Sequence, residues 1–127
     1  MYEVSITTHF SAAHRLVGYK GPCANPHGHN WEVEVFIRGT ALDDMGMLVD
    51  FRLVKKAVAE VVGKLDHSDL NVSPAFKGSN PTSENIARYL YKKLAAKLDS
   101  KTHAVYAVSV RESPGSAVTY REEENDD

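Results

Sequence analysis

Six histidines and a single cysteine are the residues of this chain whose chemistry goes beyond packing, and three of them crowd into one short stretch. In "GPCANPHGHNWEVEVFIRG", Cys23 stands ahead of His27, and only Gly28 separates His27 from His29. Imidazole and thiolate are both ligands for zinc, so the stretch can hold a metal. A thiol left off the metal but close to it has a depressed pKa and is a usable acid/base group. A polar loop whose imidazoles bond to backbone is the third reading. For a His-x-His pattern alone it fits at least as well as the other two.

Position along the strand that follows sharpens the choice. Trp31, Val33, Val35 and Ile37 share one parity, so a strand reaching back to His27 would put both imidazoles on that apolar face. Polar groups on a covered face need partners, and a chelating pair needs a third ligand from elsewhere. His9 lies on the polar parity of an earlier strand, with Glu3, Ser5 and Thr7, and is expected to face away. His103 begins a strand after a lysine-rich helix end and is expected at the surface. His14, in "FSAAHRL", lies just past the first strand in a small-residue segment able to turn back. On spacing alone His14 is only the best of these candidates. Cys23 as a fourth ligand would close the set into a structural site.

Further acids sit where chemistry is conceivable. Asp66-His67 in "KLDHSDLN" reads as a carboxylate–imidazole relay, or as the polar end of a helix. Glu112 shares parity with Tyr106, Val108 and Val110, so its carboxylate is expected on the covered side, where it must meet N–H donors or a cation. A bulge turning it outward is the competing reading. Glu84 falls in the first turn of a helix, where an acid also complements the helix dipole.

The elements that must position these residues follow from periodicity. "YEVSITTHF" alternates with Tyr2, Val4, Ile6 and Phe10 on one side, and "NWEVEVFIRG" alternates again. Leu53, Val54, Ala57, Val58, Val61, Val62 and Leu65 recur at helical spacing over 51–65, with Asp50 as N-cap. A second helix in "NPTSENIARYLYKKLAAKL" is capped by Thr82 or Ser83 and carries the stripe Ile86, Leu90, Leu94 and Leu98. "HAVYAVSVRE" and "AVTYRE" form a hairpin across Ser113-Pro114-Gly115-Ser116. The order strand-strand-helix-helix-strand-strand predicts an α+β fold, a four-stranded antiparallel sheet with both helices on one face. Residues 1–121 are expected to form a single domain and the acidic run 122–127 a disordered tail.

Composition excludes several function classes. The chain has 127 residues, 43% hydrophobic and 25% charged, enough for one ordinary core. Net charge is −2 with no Lys/Arg run longer than a pair, so no nucleic-acid surface is indicated. One cysteine forms no internal disulfide. The start "MYEVSITTHF" has no signal pattern and no apolar run reaches spanning length, so no membrane association and a cytoplasmic location are expected.

With these residues assembled, the chain resembles the 6-pyruvoyl-tetrahydropterin synthase / 6-carboxytetrahydropterin synthase family over nearly its full length. "FSAAHRL", "CANPHGHN", "LDHSDLN", "NPTSENIA" and "VRESPGSAVTYRE" occur in the family's order and spacing. The resemblance implies a tunnelling fold whose sheets join between subunits into a barrel. It implies Zn²⁺ bound by His14, His27 and His29, a catalytic set of Cys23, Asp66 and His67, and a pterin anchored by Glu112 with Glu84 assisting. The spacing from Cys23 to His27 is similar to that of the bacterial 6-carboxytetrahydropterin synthases of queuosine biosynthesis. The implied small-molecule substrate is 7,8-dihydroneopterin triphosphate. The implied assembly is a homohexamer, two stacked rings of three with active sites between subunits, in which Cys23 and Glu112 of different subunits would serve one pterin. Open sheet edges, which invite pairing, point to oligomerisation as well.

Overall fold

The structure, a computed structural model, describes residues 1–122. The expected disorder of the acidic tail falls on residues 123–127, outside the described residues. Glu122, assigned to that tail, is held by the Lys92 ammonium and the Tyr120 hydroxyl.

The elements in order are β1 (Tyr2–His14), β2 (His27–Gly39), α1 (Phe51–Gly63), β3 (Ser68–Asp69), α2 (Ser83–Leu98), β4 (His103–Ser113) and β5 (Ser116–Tyr120). They build one sheet in the order β3-β1-β2-β4-β5, with both helices packed on the same apolar face. The α+β expectation holds, with one addition. β3 is a fifth strand, too short to show alternation, and it runs parallel to β1 through Ala12↔Ser68 and Ala13↔Asp69. Among the described residues, no helix is long and apolar enough to cross a membrane.

Both long strands run further than their most obvious alternation. β1 continues through Ser11-Ala12-Ala13 to His14, and β2 begins at His27 rather than at Asn30. They pair antiparallel in one unbroken register, from Tyr2↔Gly39 to His14↔His27. Ile6, Phe10, Ala12 and His14 of β1 therefore face inward with Trp31, Val33, Val35 and Ile37 of β2. Phe10 and Trp31, directly opposite each other, stack with ring centroids 5.8 Å apart.

Asp50 caps α1 as expected, its carboxylate accepting from the Arg52 amide at 2.8 Å. The buried stripe is Val54, Ala57, Val58, Val61 and Val62, continued beyond the helix end by Leu65. Leu53 does not belong to it. The residues that follow Val54 at helical spacing set the buried arc, and Leu53, one position earlier, is 55% exposed. Thr82 caps α2, accepting from the Asn85 amide at 3.1 Å, and Ile86, Leu90, Leu94 and Leu98 are buried as its stripe predicts.

In β4 the expected parity breaks. The register against β2 shifts between Phe36↔Ala107 and Ile37↔Val105, so Tyr106 is the extra residue of a bulge. Val105 takes the inward position there. Tyr106 instead lies under the Arg38 guanidinium, 3.4 Å from its ring centroid, and its hydroxyl accepts from Arg121 at 2.8 Å. Past the bulge, Val108 and Val110 are buried as expected.

Leu90 is fully buried between α2 and the sheet, whereas Leu53 is exposed. Leu90→Ala should lower unfolding free energy by about 2–5 kcal/mol. Leu53→Ala should change it by less than about 0.5 kcal/mol. Urea titrations of the two variants read both values, and similar losses would contradict this division of core and surface.

Candidate active site

The histidine cluster is a consequence of strand register. His14 and His27 are direct cross-strand neighbours, and His29 lies two residues along the same face of β2. Directly opposed side chains sit close in an antiparallel pair, and diagonal ones remain within reach of an imidazole. Ring centroids are 4.5 Å apart for His14–His27, 5.2 Å for His14–His29 and 4.8 Å for His27–His29. One nitrogen from each ring falls within 4.8 Å of the others, so these three residues can hold a metal ion. His14 reaches the cluster from inside the strand and not from a turn after it.

Backbone carbonyls decide which nitrogen is free. His14 Nδ1 lies 2.7 Å from the Pro81 carbonyl and His27 Nδ1 lies 2.8 Å from the Asn25 carbonyl. A carbonyl only accepts, so each Nδ1 carries a proton, and the neutral tautomer this selects has its lone pair on Nε2. Ligating histidines are oriented by this kind of second partner. His14 is 3% exposed, and its Nε2, like that of His29, is buried without a hydrogen-bond partner. Orphaned acceptors on a covered face are costly unless something cationic meets them. The donor set fits a metal.

Glu112 flanks the cluster. Its Oε2 lies 3.0 Å from His29 Nε2 and 4.0 Å from His14 Nε2, without the alignment of a hydrogen bond at either. Its other oxygen accepts from the Ser83 hydroxyl at 3.2 Å. A second bulge, between Val110 and Ser113, does occur next to Glu112, but the carboxylate stays on the histidine side. Burial pushes His29 below the ordinary imidazole pKa, and the neighbouring His14 and His27 add to this against the opposing pull of Glu112. The neutral, ligand-competent form is thereby favoured.

Two grooves meet at Gly28-His29-Asn30. One, of about 560 Å³, runs along His9, Glu32, Arg111 and Glu112, and the other, of about 410 Å³, along Ser11, Ala12, His67 and Ser68. Asp66 Oδ2 lies 3.0 Å from His67 Nδ1, the contact a relay requires. The His67 side chain is 81% exposed, and His67 is the one described non-glycine residue with positive φ, 54°. Its amide donates to the Ser11 carbonyl at 2.6 Å, which holds this strained backbone in place.

The other expected residues fall at varying distances from this centre. Cys23 is half-buried in a 3₁₀ turn, Pro22–Ala24, and belongs neither to the histidine donor cluster nor, among the described residues, to the lining of either groove. Glu84 is exposed; from the first turn of α2 it is Ser83, 7% exposed, that meets Glu112. His9 is exposed beside Glu32, as its setting predicts, and His103, half-buried, pairs with Gly39 at the far end of β2. Glu112 lies beside His29 of the same chain. Ser83 and the Pro81 carbonyl escape sequence reasoning because a serine in the first turn of a helix and a backbone oxygen carry no periodic signal. The parity of Ile6, Phe10 and Ala12 already points to His14.

The Ser11 amide, 2.8 Å from Asp66 Oδ1, holds the Asp66 carboxyl below the usual carboxylate range, and His67 adds to this. A depressed folded-state pKa contributes stability that is present above the unfolded value and lost as pH falls through the folded one. Asp66→Ala should therefore unfold at lower urea than wild type at neutral pH, and the gap should narrow under acid. A gap independent of pH would show that the charge contributes nothing.

Comparison with known proteins fits this geometry. The family profile described as 6-pyruvoyl tetrahydropterin synthase matches residues 3–123. The chain is 36% identical to a 6-carboxy-5,6,7,8-tetrahydropterin synthase of Bacillus subtilis, over 94% of this chain and 85% of the relative. It is 35% identical to a 6-pyruvoyl tetrahydrobiopterin synthase of Dictyostelium discoideum, over 90% of this chain and 91% of the relative. The solved structure of Caenorhabditis elegans 6-pyruvoyl tetrahydropterin synthase superposes with a TM-score of 0.85 at 32% identity, covering 96% of both chains. The chain belongs to the 6-pyruvoyl tetrahydropterin synthase family, whose enzymes act in pterin metabolism.

Proposed function

We propose that this protein is a zinc-dependent 6-carboxy-5,6,7,8-tetrahydropterin synthase. It would act as a carbon–carbon lyase on 7,8-dihydroneopterin triphosphate, consuming water and releasing 6-carboxytetrahydropterin, acetaldehyde and triphosphate. The observation that carries the reading is the convergence of His14, His27 and His29, with Glu112 beside them. The Cys23-to-His27 spacing and the Bacillus subtilis relative favour the carboxy product.

His14, His27 and His29 are the residues that would hold the zinc, which when bound supplies a Lewis acid toward oxygens of the substrate's side chain. Glu112, steadied by Ser83, would accept two hydrogen bonds from the amino-pyrimidinone edge of the pterin, a donor pair that a carboxylate matches. Cys23 Sγ, as thiolate, takes a proton from the substrate carbon next to the ring, and His67, oriented by Asp66, exchanges protons as the second acid/base group. Successive transfers carry the ring C=N bond out of the ring and expel triphosphate. Cleavage of a carbon–carbon bond in the substituent then releases acetaldehyde.

A second reading stops before that cleavage and makes the protein a 6-pyruvoyl-tetrahydropterin synthase. Its support is the Dictyostelium discoideum relative and the Caenorhabditis elegans structure. Incubation with dihydroneopterin triphosphate separates the two: the proposed activity yields acetaldehyde and triphosphate together, the second reading triphosphate alone. Neither product would leave a non-catalytic zinc-stabilised binding module, in which Cys23 completes a four-ligand site.

The proposal includes a homohexamer of two stacked rings of three, with sites between neighbours. Its support is the outer edge of β1, which among the described residues has no strand against it before Ala12. Light scattering should give six times the subunit mass, and a fully active monomer would refute the assembly.

His27→Ala should lose the metal that wild type carries at about one per subunit. Cys23→Ala should keep metal and fold while losing about 10²-fold or more in turnover. Elemental analysis beside the acetaldehyde assay reads both. Full metal in His27→Ala overturns the ligand assignment, and metal loss in Cys23→Ala makes the thiol a ligand.

A further inference from the structure

Backbone pairing does not stop at the last ladder pair of β1. Arg15 and Leu16 lead from it into a turn at Val17-Gly18, and the backbone groups of Arg15, Leu16 and Val17 are still paired. The Leu16 amide donates to the Cys23 carbonyl at 2.8 Å. On either side of it, two asparagines act as strand mimics. The Arg15 amide donates to Asn71 Oδ1 at 2.7 Å, and Asn71 Nδ2 donates back to the Arg15 carbonyl at 3.0 Å. The Val17 amide donates to Asn80 Oδ1 at 3.0 Å, and Asn80 Nδ2 donates back to the Val17 carbonyl at 3.0 Å.

A carboxamide offers one acceptor and one donor in a plane, as a neighbouring peptide group does. Aspartate keeps the acceptor but opposes its second oxygen to a carbonyl. Alanine leaves two backbone groups to solvent. Each asparagine is itself anchored: the Asn71 amide donates to Asp69 Oδ1 at 3.0 Å, and the Asn80 carbonyl accepts from Asn85 Nδ2 at 2.8 Å. Asn80 also directly precedes Pro81, whose carbonyl holds His14 Nδ1. The segment that orients a histidine of the cluster thus also grips the backbone after β1 to which Cys23 is tied.

We infer that Asn71 and Asn80 are positioning residues that set the Cys23 thiol relative to the three-histidine cluster. The inference rests on the reading of Cys23 as the proton-transferring group. The carboxamides of Asn71 and Asn80 make their hydrogen bonds to backbone, so the role assigned to them runs through Arg15, Leu16 and Val17. The backbone hydrogen bonds of the Cys23 turn lie within residues 21–25, apart from the one to Leu16.

The test uses the metal-loaded protein and the fact that Cys23 is the only cysteine. Alkylation by iodoacetamide, followed across pH, reads the accessibility and pKa of this one thiol without any turnover. In Asn71→Ala/Asn80→Ala the alkylation rate should change by about fivefold or more, or its pH midpoint should move, while metal content stays that of wild type. The kcat for triphosphate release should fall about 10–100-fold with KM within about threefold, the pattern of a misplaced reacting group. Asn71→Asp and Asn80→Asp, which keep one of two bonds, should fall between, and they decide the matter if the double alanine variant does not fold. Alkylation profile and kcat both within about twofold of wild type, with only thermal stability lowered, overturn the inference. If wild type proves to have no turnover, the reading of the function fails, and the alkylation profile still decides whether the asparagines place the thiol.

Discussion

The antiparallel register that opposes Phe10 to Trp31 also opposes His14 to His27, and the donor set exists only in that register. Side chains along a strand alternate with period two, so a slip of one residue would turn the histidines of one strand to the outer face. The same slip would expose that strand's apolar set. Trp31, Val33, Val35 and Ile37 are all fully buried, and each is worth roughly 1.5–3 kcal/mol of burial. Turning out four such side chains costs more than about 5 kcal/mol, which rivals the whole stability of a small domain. The hydrophobic face thus locks the geometry of the polar site. Trp31 joins the two directly, lying 5.0 Å from His14 and 5.1 Å from His29 between ring centroids, edge to face with both.

Electrostatics then prepares that geometry for a cation. Burial and the neighbouring rings disfavour a proton on His29, and Glu112 alone favours one; the net shift is downward. The outcome is a cluster of three imidazoles, with His29 biased toward its neutral form and one carboxylate at the rim. A proton is a poor match for such a cluster, because it satisfies one nitrogen and repels the rest. A metal ion meets all of the lone pairs at once and neutralises the adjacent carboxylate's field. The Pro81 and Asn25 carbonyls complete this arrangement by keeping the far nitrogens of His14 and His27 protonated.

How much of this is legible in the sequence depends on whether a residue's role is periodic. Parity assigns His27, His29 and Glu112 to the inner face, and the structure puts them there. His14 shares the parity of Ile6, Phe10 and Ala12, yet the small residues between suggest a turn, because short side chains weaken the alternation that marks a strand. Leu53 and Tyr106 mislead for the opposite reason: each fits an apolar pattern nearby, but one lies off the buried arc and the other sits in a bulge. Bulges shift parity without any mark in local composition. Ser83, Asn71, Asn80 and the Pro81 carbonyl are invisible in the sequence because each acts through a contact distant along it.

The irregular edge beside β1 shows why such contacts are needed. A full strand there would shield the edge, but its alternation would commit every second residue to a face and forbid sharp turns. Here β3 pairs for only two residues, and the side chains of Asp66, Asn71 and Asn80 cover Ser11, Arg15 and Val17. Side-chain pairing frees the backbone between them. It can then take up the left-handed turn at His67, which places that imidazole in the groove reaching His29. It can also bring the Pro81 carbonyl to His14 just before the cap of α2. One stretch of backbone thereby protects a sheet edge, holds Asp66 against His67 and orients a histidine of the cluster, which a regular fifth strand of ordinary length could not do.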